Sequence, residues 1–188
     1  MIVAIQGAPG SFSEGAARQL AGPNATLLSV VTFDDLFEAV ESGRAERGVV
    51  PVRNTITGLV YDNAERARRF TVLDWLPYPV RQCLIARREM AIDAVRRVAS
   101  HPVALRQCTR FFAANPARVA VPVPDTGSGV RDLMGGSLDV DAVIGSAVAA
   151  RLYGATILLE GVEDAPENVT EFLLIAQGNN CSQCGVDG

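Results

Sequence analysis

The fold is decided by the stretch Glu163-Asp164-Ala165-Pro166-Glu167-Asn168-Val169-Thr170-Glu171-Phe172-Leu173-Leu174-Ile175. Residues 162–167 are polar and predict a surface connection, whereas the apolar run at residues 169–176 predicts a buried strand. Thr170 and Glu171 therefore stand at the start of the last strand of the chain. Taken by themselves, these two residues indicate nothing more than an ordinary strand start.

Strands and helices alternate upstream of this stretch. Apolar runs predict strands at residues 2–5, 27–31, 47–52, 71–76, 80–86, 95–100, 118–123 and 142–144. Helices are predicted at residues 14–20 with Ser13 as N-cap, at 33–42 with Thr32 as N-cap, at 61–70, and near Pro102, Ser128 and Ser146. This alternation predicts an α/β protein with a parallel or mixed sheet. The stiff segment 77–79, Pro-Tyr-Pro, suggests a boundary between two lobes.

The composition excludes several classes of function. The chain has 188 residues and one histidine, His101, and all of its 17 basic residues are arginines. Without lysine there is no P-loop lysine and no Schiff base, which excludes pyridoxal phosphate chemistry. One histidine cannot build a multi-histidine metal site, and no nucleophile-elbow motif accompanies it. We therefore expect no metal and no cofactor.

Charge and hydropathy limit the partners and the location. A net charge of −4 with scattered arginines predicts no nucleic-acid partner. The chain opens without a secretory signal and has no apolar run of membrane-spanning length, so we expect no membrane contact and a cytoplasmic protein. The four cysteines, at positions 83, 108, 181 and 184, are expected to be reduced and without a role.

Two loops rich in small residues are candidate anion sites. Residues 6–13, Gln-Gly-Ala-Pro-Gly-Ser-Phe-Ser, lie between a strand and a helix, where backbone N–H groups and the hydroxyls of Ser11 and Ser13 can bind a carboxylate or phosphate. Thr126 and Ser128 offer hydroxyls at the start of another predicted helix. The alternatives are an ordinary strand-to-helix turn and simple helix capping.

A third candidate follows the strand that ends near residue 52. Ligands lie beyond such strand ends in open α/β sheets. There Arg53 can clamp a carboxylate, Asn54 supplies an amide and Thr55 a hydroxyl, although a solvated loop is the simpler interpretation. His101 precedes Pro102, and we interpret it as a positioning or structural residue at a helix start, with catalysis left open.

Several of these segments together resemble the prephenate dehydratase superfamily. Residues 168–172, Asn-Val-Thr-Glu-Phe, resemble its N-x-T-R-F motif, and residues 51–58 resemble P-I-E-N-S/T-x-x-G. Residues 7–13 resemble G-x-x-G-x-F/Y-S, and residues 100–108 resemble S-H-P-x-A-L-x-Q-C. The resemblance covers nearly the whole chain. It implies two α/β lobes, like a type II periplasmic binding protein, with the active-site cleft between them.

The resemblance also implies a division of the chain. Lobe one would combine residues 1–77 with 163–178, lobe two would be 78–162, and 179–188 would be a flexible tail. Family members commonly carry a C-terminal ACT domain that binds phenylalanine. This sequence stops soon after its last motif, so we expect no ACT domain.

Two charges depart from the family pattern. Glu171 stands where the family has Arg, and Arg53 stands where it has Glu. If the two side chains face each other, the exchange preserves an ion pair and the family chemistry survives. If each side chain contacts the substrate, the exchange reverses the sign of the charges around the reacting ring. This second explanation predicts altered chemistry.

The second explanation leads to the principal functional expectation, a non-aromatizing prephenate decarboxylase of specialised metabolism, such as antibiotic biosynthesis. It would expel CO2, keep the ring hydroxyl and yield a dihydro-4-hydroxyphenylpyruvate. The alternatives are a prephenate dehydratase that forms phenylpyruvate and an inactive carboxylate-binding protein.

The resemblance also implies site residues and an assembly. The expected catalytic residues are Thr170, Glu171 and Arg53. The expected substrate-binding residues are Ser11, Ser13, Asn54, Thr55, Thr126, Ser128 and Phe172. Relatives often form dimers, so a homodimer is expected.

Overall fold

Two mixed sheets flanked by helices form the protein in a computed structural model, which describes residues 1–60, 62–124 and 126–178. The elements are, in order, β1 (Ile2–Gln6), α1 (Phe12–Leu20), β2 (Thr26–Val30), α2 (Phe33–Glu41), β3 (Arg47–Asn54), β4 (Gly58–Leu59), α3 (Asn63–Ala67), β5 (Thr71–Pro79), β6 (Cys83–Ala86), β7 (Arg97–Ser100), α4 (Pro102–Arg106), α5 (Thr109–Ala113), β8 (Val119–Pro122), α6 (Thr126–Gly135), β9 (Ala142–Gly145), α7 (Ala147–Tyr153), β10 (Thr156–Glu160) and β11 (Val169–Ala176). A 3₁₀ turn at Ile92–Ala94 precedes β7.

The last strand lies inside the first sheet, whose order is β2-β1-β3-β11-β5, with β4 paired to β3. Strand β1 runs parallel to β2 and β3, whereas β11 runs antiparallel to both β3 and β5. In this register Thr170 lies opposite Asn54, and Glu171 lies opposite Arg53. The deciding stretch therefore connects the two halves of the first sheet.

The second sheet has the order β10-β6-β9-β7-β8. Strand β7 is parallel to β8 and β9, and β6 is antiparallel to β9 and β10. We call the first sheet with α1–α3 the first lobe, and the second sheet with α4–α7 the second lobe. The mixed α/β, two-lobed architecture expected from the sequence is confirmed.

Helices cover both faces of the first sheet. On one face, Leu36, Phe37 and Val40 of α2 pack with Ile175 of β11. On the other face, α1 packs against a cluster that includes Phe172. Because β11 is apolar on both faces over this length, it is buried from both sides. Each fully buried large side chain of this kind contributes about 1.5–3 kcal/mol.

Some local predictions were wrong in detail. The N-cap of α1 is Ser11 and not Ser13, because Ser11 has an extended backbone and its hydroxyl accepts a hydrogen bond from Glu14 N. Residues 77–79 belong to strand β5, since antiparallel pairing with β11 continues through both prolines. Strand β10 and helix α5 were not predicted. The predicted flexible tail at 179–188 and its two cysteines lie outside the described residues.

The two lobes are joined by crossing segments on one side and touch on the other. At the crossing, Val80 N donates to Asn168 O at 2.8 Å. Away from it, Ser146 Oγ at the start of α7 donates to Gly10 O at 2.5 Å. A Cβ atom at Gly10 would lie 2.8 Å from both Cα and Cβ of Ala149. Strand pairing does not test the lobe boundaries at residues 77 and 163, which stay predictions.

The buried thiols give the fold a dependence on alkaline pH. Burial, with a smaller contribution from nearby carboxylates such as Asp164 beside Cys108, raises the pKa of Cys83 to about 11 and that of Cys108 to about 12. Above about pH 8.5 a thiol ionises in the unfolded chain while it stays protonated in the folded one, so stability falls as the pH rises. We expect a decrease of about 1 kcal/mol in the free energy of unfolding between about pH 8 and about pH 9.

Urea unfolding at the two pH values measures this loss. The double variant Cys83→Ala/Cys108→Ala serves as the control, and its free energy of unfolding should change little over the same interval. An equal pH dependence in the variant and the unaltered protein would show that other groups are responsible. The four-cysteine chain should be kept reduced throughout.

None of the described helices is long and apolar enough to cross a membrane.

Candidate active site

A cavity of about 630 Å³ lies between the two lobes. The first lobe contributes the ends of β1 and β3, the start of α1 and the start of β11, and the second lobe contributes helix α4 and the residue before β6. The cavity thus lies where several strands of the first sheet end, which is the position that ligands take in open α/β folds.

Five of the predicted site residues line this cavity: Ser11, Ser13, Asn54, Thr170 and Phe172. They come from three separate parts of the chain, which the pairing of β3 with β11 on one side and with β1 on the other brings together. His101 lines the cavity as well. Its Nδ1 accepts a hydrogen bond from Val103 N at 3.2 Å, so a neutral imidazole carries its proton on Nε2.

An amide and hydroxyl network fixes the first-lobe wall. Asn54 Nδ2 donates to Thr170 Oγ1 at 2.9 Å and to Asn168 Oδ1 at 2.8 Å. Asn54 Oδ1 accepts from the backbone N–H groups of Ile56 and Thr57, which determines the orientation of the amide. Since Thr170 Oγ1 already accepts from Asn54, the hydroxyl proton of Thr170 is available to donate into the cavity.

The same network reaches the second lobe. Asn168 Nδ2 donates to Gln107 Oε1 at 3.3 Å, and Gln107 lines the cavity. At the crossing between the lobes, the backbone N–H of Gln82 donates to Glu163 Oε2. Arg81 Nη1 lies 3.1 Å from Glu163 Oε1 and forms an ion pair with it. The Glu163 side chain is almost fully buried. Polar contacts therefore tie the segment before β11 to both lobes on the crossing side of the cavity.

Arg53 and Glu171 lie outside the lining of the cavity. They lie opposite each other in neighbouring strands, and Arg53 Nη1 is 3.8 Å from Glu171 Oε1. Thr170 and Phe172, on either side of Glu171, line the cavity, and side chains alternate along a strand. Glu171 therefore faces away from the cavity. This geometry favours the explanation that the exchange of charges preserves an ion pair; a catalytic role for either residue stays a prediction.

Three further predicted residues contribute less directly. Thr55 does not line the cavity; its Oγ1 donates to Glu167 O and accepts from Val169 N, which holds β11 in register. Ser128 is buried in the first turn of α6 and is not part of the lining. Thr126 starts α6, and its side chain lies outside the described part of the structure.

Three cavity-lining glutamines, at positions 6, 82 and 107, were not predicted to be site residues. Gln6 ends β1, so the rule that ligands lie beyond strand ends could have identified it. Gln107 lies inside the segment at residues 100–108 that was noted for its histidine. Gln82 carries no local signal in the sequence, since only the crossing between the lobes places it at the cavity.

Within the described parts of the chain, no arginine lines the cavity, and His101 is its only ionisable lining residue. Backbone donors at a helix start take the place of an arginine, and the one carboxylate in that first turn, Glu14, is paired with Arg18 at 3.2 Å. The nine-residue α1 begins at the cavity, with Ser11 as its N-cap. Free N–H groups and the helix dipole favour an anion at such a position. Across residues 1–60, 62–124 and 126–178, no cluster of His, Cys, Asp and Glu could hold a metal ion.

Fold and site together define a two-lobed α/β protein with a ligand cavity between its lobes. A family model described as prephenate dehydratase matches residues 3–180, and the chain belongs to this family.

Among individual relatives, an arogenate dehydratase of Petunia hybrida is 37% identical over 180 residues, which cover 93% of this chain and 42% of the relative. The chain thus spans less than half the length of this relative. A quorum-quenching acylase of known structure is 30% identical, with a TM-score of 0.81 over 94% of this chain and 64% of that one.

Two more distant structures share the fold. A prephenate dehydratase of Arthrobacter aurescens, solved with L-Phe, has a TM-score of 0.84 at 24% identity, over 94% of this chain and 60% of that one. A periplasmic substrate-binding protein of an ABC transporter from Coxiella burnetii has a TM-score of 0.52 at 14% identity, over 98% of this chain and 88% of that one. The type of two-lobed fold expected from the sequence is therefore found in both.

Proposed function

We propose that the chain is a lyase that converts prephenate into an aromatic product by removing CO2 and the ring hydroxyl. The observation that carries this proposal is the position of Thr170. Its hydroxyl lies at the cavity, its oxygen already accepts from Asn54, and its proton is left for a group of the substrate. Family membership supports the same substrate, and the family name is that of the dehydratase reaction.

The reaction needs help at one bond in particular. When the ring carboxylate leaves as CO2, its bonding electrons move into the ring, and the bond from the ring to the hydroxyl oxygen breaks at the far side. Hydroxide is a poor leaving group, so a hydrogen bond to the departing oxygen lowers the barrier. Thr170 donates that hydrogen bond, and a proton taken up from solvent completes the water that leaves.

The carboxylates of prephenate would be bound without arginine. The N-terminus of α1, with the hydroxyls of Ser11 and Ser13, supplies donors for one of them. The amides of Gln6, Gln82 and Gln107 supply neutral donors around the remaining wall. Neutral donors hold the carboxylate that must leave less tightly than an arginine would, which assists loss of CO2.

A second candidate is the non-aromatizing decarboxylase, which keeps the ring hydroxyl. The composition of the lining favours it, because His101 is the only ionisable side chain that the described residues place at the cavity. A threonine hydroxyl is a weak acid, and loss of CO2 followed by protonation of a ring carbon needs no departure of hydroxide. Specialised metabolism would be the setting of this reaction.

NMR of purified protein mixed with prephenate distinguishes the two reactions. We expect new aromatic ring protons and the side chain of phenylpyruvate. Loss of CO2 with a non-aromatic ring that keeps its hydroxyl would overturn the dehydratase in favour of the decarboxylase. Unchanged prephenate together with thermal stabilisation would indicate an inactive binding protein.

The same experiment with arogenate tests the substrate. Relatives named arogenate dehydratase make the amino counterpart of prephenate a reasonable competitor. We expect prephenate to be consumed faster, because no carboxylate lines the cavity to pair with an ammonium group in the part of the chain that the structure describes. A cytoplasmic location and a homodimer belong to the same proposal.

A further inference from the structure

A loop with two left-handed glycines leads into the helix start that we expect to bind an anion. The loop comprises residues 7–11 and joins β1 to α1; Gly7 has a φ of 112° and Gly10 has a φ of 88°. Glycine restricts its own backbone less than any other residue does. The shape of the loop therefore depends on contacts from outside it, although the loop ends on Ser11, which caps α1 and lines the cavity.

Ser146 supplies such a contact from the second lobe. Its side chain is buried at the start of α7, and its Oγ accepts a hydrogen bond from Ala149 N at 3.0 Å, as an N-cap does. The same Oγ donates its proton to Gly10 O at 2.5 Å. One hydroxyl thus caps a helix of the second lobe and holds the backbone of the first lobe.

The carbonyl that Ser146 contacts belongs to the peptide group between Gly10 and Ser11. At the opposite end of this peptide group, Ser11 N donates to Ala8 O at 3.1 Å. Because a peptide group is planar, contacts at both of its ends fix its orientation. This orientation determines the direction in which α1 begins. It therefore also determines where the N–H groups of the first turn point, which have no partner inside the helix.

Helix α7 makes two further contacts with the loop, and both are weaker. Tyr153 Oη donates to Pro9 O at 3.4 Å, which is long for a hydrogen bond between two oxygens. Ala149 lies against Gly10, where a Cβ atom would be 2.8 Å away, but this close approach does not orient a carbonyl group. The hydroxyl of Ser146 is therefore the principal polar contact between α7 and the loop.

We propose that Ser146 is a positioning residue for the anion site, an inference that rests on the proposed function. Ser146 does not line the cavity, so it acts through Gly10 and Ser11. It holds the helix start of the first lobe in one orientation, and a carboxylate of prephenate then meets donors that are already in place. Without Ser146 the loop has to be ordered at the moment of binding, and this cost weakens the affinity.

Ser146→Gly separates this role from helix capping, since glycine is accepted at an N-cap nearly as well as serine. The variant leaves the buried Gly10 carbonyl without its donor. Steady-state rates with prephenate should give a KM about tenfold higher than that of the unaltered protein. The kcat should stay within about twofold, because Thr170 is not disturbed. Ser146→Thr keeps the hydroxyl and should behave like the unaltered protein.

Hydrogen exchange of the full chain, measured by mass spectrometry without substrate, reports on the loop directly. In the unaltered protein, Gly10 N donates to Glu14 Oε2 at 2.8 Å, and Glu14 N donates to Ser11 Oγ at 3.2 Å. In Ser146→Gly, peptides that cover residues 7–14 should exchange at least about tenfold faster, since the loop then opens more often. Peptides from α2 should exchange at their original rate.

Ser42→Gly is the matched control. Its hydroxyl also donates to a backbone carbonyl, Glu38 O at 2.7 Å, but at the end of α2 that lies away from the cavity. This variant should change neither the KM nor the exchange of residues 7–14.

Two results would overturn the proposal. The first is an unchanged exchange rate of residues 7–14 in Ser146→Gly. The second is faster exchange that leaves the KM for prephenate unaltered, whether or not kcat falls. An unaltered protein that does not consume prephenate would contradict the proposed function instead, and the exchange experiment would still decide whether Ser146 holds the loop.

Discussion

Replacing Thr170 by valine should lower kcat for prephenate by about 10²–10³-fold, the usual effect of removing one hydrogen bond to a group that develops charge in the transition state. Valine has nearly the shape of threonine and suits a strand, so β11 should keep its register. The Asn54 amide would lose one acceptor but would keep Asn168 Oδ1 at 2.8 Å. The change should therefore affect turnover much more than stability, and the rate of prephenate consumption measures it.

Two variants make this result specific. Thr170→Ser retains the hydroxyl and should recover most of the lost kcat, whereas Thr26→Val removes an exposed hydroxyl at the start of β2 and should change nothing. If Thr170→Val consumed prephenate as fast as the unaltered protein, Thr170 would not assist the leaving group. The proposed mechanism would then lose its principal support, although the fold would not be in question.

Replacing Gly10 by alanine should lower the free energy of unfolding by about 3 kcal/mol. Gly10 has a φ of 88°, which costs a residue with a Cβ about 1–2 kcal/mol. The added methyl group would also lie 2.8 Å from Cα and Cβ of Ala149 on α7, and such overpacking costs about 1–3 kcal/mol. Because the added methyl group would meet the Cα and Cβ atoms of Ala149 and not a flexible side chain, the two lobes must separate slightly. Urea unfolding gives the free energy directly.

Gly22 provides a matched control for this experiment. Its φ is 87°, and a Cβ there would meet nothing within 4 Å. Gly22→Ala should therefore show the backbone strain alone, about 1 kcal/mol. Equal losses at both positions would mean that the close approach of Gly10 to Ala149 adds no overpacking cost to the backbone strain.

Most of the fold was predictable because the sequence patterns that indicate strands, helices and helix caps lie within short segments. The apolar run at residues 169–176, the capping residue Thr32 and the alternation of strands and helices are all properties of short segments. Strand β10 was missed although a local signal precedes it, since Gly154 ends α7 with a φ of 67° and the β-branched Thr156 and Ile157 follow. The antiparallel position of β11 between β3 and β5 depends on pairing over more than a hundred residues, and no periodicity encodes it.

The site was predictable in part, for the same reason. Asn54, Thr170 and Ser11 belong to segments with recognisable chemistry, and all three line the cavity. The direction in which Arg53 and Glu171 point was not predictable, since it depends on strand register and on a bulge in β3, where Val52 is the extra residue between the pairs Arg53–Glu171 and Pro51–Phe172. A shift of β11 by one residue in that pairing would turn Glu171 to the other face of the sheet. Gln82 reaches the cavity only through the geometry of the crossing between the lobes.

The central position of β11 also sets the order in which the molecule can be assembled during synthesis. Until residue 176 has left the ribosome, β3 and β5 have no strand between them, and the first lobe remains open along its middle. The second sheet draws only on residues 83–160, so it can be complete earlier. The part of the protein that is made first is therefore the part that folds last. Throughout translation, its unpaired strands are a surface on which a nascent chain is open to misassociation.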